Sequence, residues 1–120
     1  MVRGQGAPGP RIAAWLKEVA RAEIAPIAAT CAAEIGAKPG RISLRDTKGR
    51  WGSCTSDGRL MFSWRLIMAP PEVLDYVAAH EVAHLQEMNH SPAFWDVTER
   101  LCPDFKARRK WLRDNGANRG

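Results

Sequence analysis

The chain has no apolar run near the roughly 18 residues that a membrane helix needs. Its first ten residues, Met1 to Pro10, also hold no apolar core ahead of a small-residue cleavage site. Both absences lead us to expect a cytoplasmic protein with no membrane partner. Cysteine is scarce: Cys31, Cys54 and Cys102 are odd in number, far apart, and form no C-x-x-C pair. A disulfide framework or a thiolate zinc knuckle would need more cysteines at closer spacing, so reduced thiols are expected. Histidine occurs only three times. What remains is ordinary for one globular domain: 120 residues, 45% hydrophobic and 26% charged, which excludes a disordered tail or a low-complexity linker. A formal charge of +5 suits a polyanionic partner such as nucleotide or nucleic acid, although solvated helix faces would give the same sum.

Residues 1–10, rich in Gly and Pro, read as a flexible lead, residues 11–116 as a single domain and 117–120 as a tail. Ile12, Trp15, Leu16 and Val19, then Ile24, Ile27, Cys31 and Ile35, recur at three- and four-residue steps, which predicts an amphipathic helix ending near Gly36. Pro26 is expected to kink or split it, because an interior proline costs ~3 kcal/mol. The period then changes to two. Ile42 and Leu44 alternate with Arg41, Ser43 and Arg45, and Leu60, Phe62 and Trp64 with Met61, Ser63 and Arg65, with a hairpin signal at Asp57-Gly58. A small antiparallel meander over 41–65 follows.

From Pro71-Glu72 the helical period returns, with Val73, Leu74, Val77 and Leu85 marking the buried stripe of a helix reaching about Met88. Ser91-Pro92 reads as the cap and first residue of another helix, stopped by Pro103. A last helix over 105–113 should end at Asn115-Gly116 in a left-handed cap. The sum is an α+β domain, a small antiparallel sheet packed beside an active-site helix with flanking helices.

All three histidines fall in His80-Glu81-Val82-Ala83-His84-Leu85-Gln86-Glu87-Met88-Asn89-His90. On a helix His80 and His84 stand one turn apart, ~5.4 Å along the axis, so both rings can reach one ion at ~2.1 Å. Glu81 is turned about 100° from His80 and flanks the ion, where a base for a water molecule must sit. His90 can join only if the chain turns between Met88 and Ser91, and Asn89 tolerates such a turn. Three nitrogen ligands would leave a fourth position open, as in a catalytic zinc site. The spacing matches the metzincin ligands, but Glu87 stands where those enzymes carry Gly, and no methionine follows His90 for a Met-turn. Glu99, the only glutamate after His90, is the alternative third ligand; His90 is preferred because its adjacency needs only one local turn.

Arg50-Trp51-Gly52-Ser53-Cys54, the run Ser63 to Glu72, Tyr76 to Glu81, Asn89-His90-Ser91 and Phe94-Trp95 together resemble the YgjP-like metallopeptidase-domain family, relatives of the SprT-type zincins. The resemblance spans about Arg11 to Gly116. It implies a zincin-like α+β fold, His80, His84 and His90 as zinc ligands, and Glu81 as catalytic acid/base. The family usually carries a longer, strand-rich segment before the first helix, so a shortened form with fewer substrate-contacting walls is expected.

The leading expectation is zinc-dependent hydrolysis of a peptide or protein, with Zn²⁺ the cofactor and Glu81 passing a proton from water to the leaving amine. Arg50, Trp51 and Tyr76 are the candidate substrate contacts, with Arg45 and Arg65 as further electrophiles. An extended substrate would align along a sheet edge, either the strand over Arg59–Arg65 or the Trp51 strand. Two other readings stay open. The same site could attack a nucleotide pyrophosphate bond beside Lys48, Arg50 and Arg65. Alternatively, Lys106, Arg108, Arg109, Lys110 and Arg113 on the last helix could bind nucleic acid.

Overall fold

The computed structural model describes residues 9–47 and 50–115. Most of the expected lead, and the tail over 117–120, lie outside them. Pro10 already opens α1 (Pro10–Glu34), with Gly9 as its cap. Then come β1 (Ile42–Arg45), β2 (Gly52–Cys54), β3 (Leu60–Ser63), a 3₁₀ segment (Trp64–Met68), α2 (Pro71–Ala83), α3 (Pro92–Leu101) and α4 (Phe105–Asp114).

The predicted break at Pro26 does not divide α1, which is one helix from end to end. Pro26 and Ala22, whose carbonyl loses its partner, are both exposed, so water can take that carbonyl. Thr30 Oγ1 donates to the Pro26 carbonyl at 2.9 Å. The buried stripe follows the expected one in part, with Ile24 and Ile35 buried and Leu16, Ile27 and Cys31 packed against the core, but its centre is shifted. Ala20, Ile24, Ala28 and Ala32 face inward, whereas Ile12 and Trp15 are 56% and 62% exposed. Three alanines in a row of four-residue steps let α1 lie close along α2 and the 3₁₀ segment, where larger side chains would hold it away.

The α+β class holds, but the sheet is mixed rather than an antiparallel meander. Its order is β1-β3-β2. β1 runs parallel to β3, Ile42 opposite Leu60 and Arg45 opposite Ser63. β2 and β3 form the antiparallel hairpin, turning through Gly58 at φ 89°. A period of two reports which face a residue occupies and nothing about which strand lies beside it, so the crossover from β1 past β3 to β2 left no mark in the alternation. The third strand also ends earlier than expected. Ser63 Oγ accepts from the Arg65 amide at 3.2 Å and starts the 3₁₀ turn.

Leu44, Leu60 and Phe62 bury the inner face of the sheet in one core with α1 and α2. From Tyr76 to Ala83 every residue of α2 is buried, because α1, β2, α3 and α4 all pack around it. Ser91 caps α3 as expected, its side chain accepting from the Phe94 amide at 3.3 Å ahead of Pro92. At the end of α4, Asn115 is not left-handed (φ −114°); it closes the helix by donating both its amide and Nδ2 to the Trp111 carbonyl. Gly116 lies outside the described residues.

Candidate metal centre

α2 stops at Ala83, five residues before the expected end at Met88. Leu85 kept the apolar spacing going in the sequence, but the backbone tightens first, with Leu85 bonding back to Val82 and Gln86 to Ala83. Gln86 Nε2 donates to the Ile35 carbonyl at 2.6 Å, pinning this turn to the end of α1. His84 caps the helix while still in the right-handed helical region. It therefore stays one turn from His80 as the chain leaves, and the bend begins there rather than at Asn89.

The bend brings all three histidines together. Their ligand atoms lie within 4.8 Å of one another, and among the described residues no other group of three His, Cys, Asp or Glu does so. His84 Nε2 and His90 Nε2 are 3.2 Å apart. Two nitrogens at ~2.1 Å from one tetrahedral ion would be roughly 3.4 Å apart. His84 Nδ1 sits 2.9 Å from the Glu87 carbonyl, which can only accept, so the proton of the neutral ring is on Nδ1 and Nε2 presents a bare lone pair. Tyr76 Oη lies 3.1 Å from His80 Nδ1 and leaves the other nitrogen of that ring for the centre. This donor set fits zinc and similar divalent ions. Glu99 is exposed on α3 and stands outside the cluster, while Phe94 and Thr98 of that helix face inward.

Aromatic rings back the centre. Phe94 stacks on His84, centroids 4.4 Å apart, and Trp95 stacks on His90 at 5.7 Å. Trp95 also stacks on Phe105 and takes the Arg109 guanidinium over its ring. Burial, then the neighbouring rings of His84 and His90, push the pKa of His80 down to about 3, and burial lowers His84 as well. Neutral imidazoles are the form that binds metal. Burial lifts Glu81 to about 8, with Arg50 partly opposing it. A cation held by the histidines would lower Glu81 from there, towards the carboxylate that accepts a proton.

One cavity of about 230 Å³ contains His80, Glu81, His84 and His90, with Arg50, Gly52, Ser53, Cys54 and Met88 completing its wall. Of the three candidate substrate contacts, Arg50 lines this cavity. The Trp51 ring packs against the core. Tyr76 is buried behind His80. Arg65 is turned to Asp46, 2.7 Å away. On α4, Arg108 pairs with Asp104 and Lys110 with Asp114, which leaves fewer of its cations for an outside partner. Burial pushes the Cys54 thiol up to about 11, keeping it protonated beside Glu81.

Two roles escaped the sequence reading. Met88 borders the site only because the bend carries it there. Gly52 lies against Glu81, and a glycine inside a strand pattern does signal a close approach. Replacing Tyr76 by Phe should leave the fold intact and weaken zinc binding about 10–100-fold, because the imidazole loses the partner that orients it. Competition with a chromophoric chelator measures this; unchanged affinity would make Tyr76 a packing residue only.

Residues 5–115 match the family model described as YgjP-like, metallopeptidase domain. No curated protein matches the chain. The fold is similar to that in the crystal structure of the metallopeptidase zymogen of Pyrococcus abyssi abylysin, with a TM-score of 0.67 and 19% identity, covering 77% of this chain and 94% of that one.

Proposed function

This chain belongs to the YgjP-like metallopeptidase-domain family, and on that premise we propose that it is a zinc-dependent peptidase in which His80, His84 and His90 hold the metal and Glu81 moves the proton. The observation that carries this reading is the convergence of three imidazole nitrogens and a buried carboxylate on one cavity. A bound zinc ion supplies Lewis acidity, making water easier to deprotonate and a carbonyl easier to attack. Glu81 takes the proton from that water and returns it to the departing amine nitrogen. Arg50, on the same wall, balances charge that builds on the substrate.

The adjoining strand supports a peptide as substrate. Trp51 and Thr55 bond towards β3, through Ser63 and Arg59. In an antiparallel ladder the alternate residues Gly52 and Cys54 then direct their backbone groups outward. β2 is an edge strand among the described residues, whereas β3 is central and unable to serve. An extended peptide can add to the β2 edge through backbone bonds alone, next to the cavity. Among the described residues no helix is long and apolar enough to cross a membrane, and three free thiols suit a reducing, cytoplasmic setting.

Metal analysis and digestion of an unfolded protein test this reading together. We expect one zinc per chain, new amino termini in the digested protein, and loss of both on chelation with return on adding zinc. Zinc bound without cleavage, alongside release of pyrophosphate from nucleoside triphosphates, would move the reaction to phosphorus.

A further inference from the structure

The outer face of the sheet forms a trough of about 870 Å³ that shares Arg50 and Ser53 with the metal cavity. Six cations line it, Lys17, Arg21, Arg41, Arg45, Arg50 and Arg59, and no carboxylate does. Arg59 is paired with Asp57, and Arg21 donates to the Ile42 carbonyl. Lys17, Arg41 and Arg45 make no ion pair among the described residues, and all three are exposed. A concave surface lined with one sign of charge concentrates ligands of the other sign.

We infer that this trough binds an acidic stretch of the polypeptide being cleaved, on the side of the metal cavity marked by Arg50 and Ser53. The inference rests on the peptidase reading, since a chain leaving the cavity past those two residues passes onto the sheet face. Carboxylates along it meet Arg41 and Arg45, whose guanidinium groups make no ion pair among the described residues. A nucleic-acid strand fits less well. Its bases need aromatic stacking platforms, and among the described residues no aromatic side chain lines the trough.

Fluorescence anisotropy on the zinc-loaded Glu81→Gln chain, which keeps its probe intact, tests this directly. A labelled peptide of alternating Glu and Ala should bind about tenfold tighter than its Gln and Ala counterpart, the sum of a few exposed charge pairs. Raising salt should shrink the difference. Arg41→Glu with Arg45→Glu, or the milder pair of Gln substitutions, should abolish it. Equal binding of both peptides would overturn the inference, as would a preference that survives both pairs of substitutions. Tighter binding of an oligothymidylate of matched charge through the same arginines would assign the trough to nucleic acid and overturn it too. The two readings fail separately. Charge-selective binding with no cleavage of any peptide by the wild-type chain sinks the peptidase, and cleavage without charge preference sinks the trough.

Discussion

Glu81→Gln should keep one zinc per chain and lower kcat on any cleaved peptide by about 10²–10⁴-fold. Gln has the same shape and hydrogen-bonding reach, so the side chain can occupy the same place between α2 and β2. It cannot accept a proton. The metal should stay because the candidate ligand nitrogens belong to His80, His84 and His90, whereas Glu81 leaves the helix about 100° from His80. Glu81→Asp is the sharper companion. It keeps the carboxylate and withdraws it by one methylene, and an error of that size in placing a reacting group costs about 10²-fold. A Gln variant that still turns over at the wild-type rate would show that another group takes the proton.

Much of this site could be read before folding because its parts are local. His80 and His84 are one helical turn apart, and the Ser91-Pro92 cap announced the new helix that confines His90 to a short connection. The Asp57-Gly58 hairpin was equally local, since Gly58 adopts a backbone angle that other residues avoid. The features that escaped depend on partners far along the chain. The inward row of α1 is mostly alanine, which carries a weak hydrophobic signal and is chosen for the closeness it permits. The place of β1 beside β3 is settled by packing against α1, to which the strand's own alternation is blind. Tyr76 had the right spacing to approach His80, yet spacing alone could not tell a substrate contact from a buried support. The hydrogen bond to Nδ1 and the burial of the ring argue for support.

Gly52→Ala should cost activity without costing metal. A methyl carbon there would sit 3.0 Å from Glu81 Cγ, 3.2 Å from Glu81 Oε2 and 3.2 Å from the Met61 carbonyl oxygen. Met61 belongs to the central strand and is held on both sides, opposite Ser43 and Ser53. The backbone oxygen has nowhere to retreat, so the Glu81 side chain must give way. Gly52 itself has no left-handed backbone, so the whole effect comes from occupied space. We expect kcat to fall about 10–100-fold with KM nearly unchanged, and zinc content to stay at one per chain. A rise in KM with kcat preserved would instead mean that the methyl obstructs the peptide at the β2 edge and leaves the base in place. Combining Gly52→Ala with Glu81→Gln separates the two further. If the methyl acts only by displacing the carboxylate, it should lower the activity remaining in the Gln variant no further, because two changes that disable one group do not add.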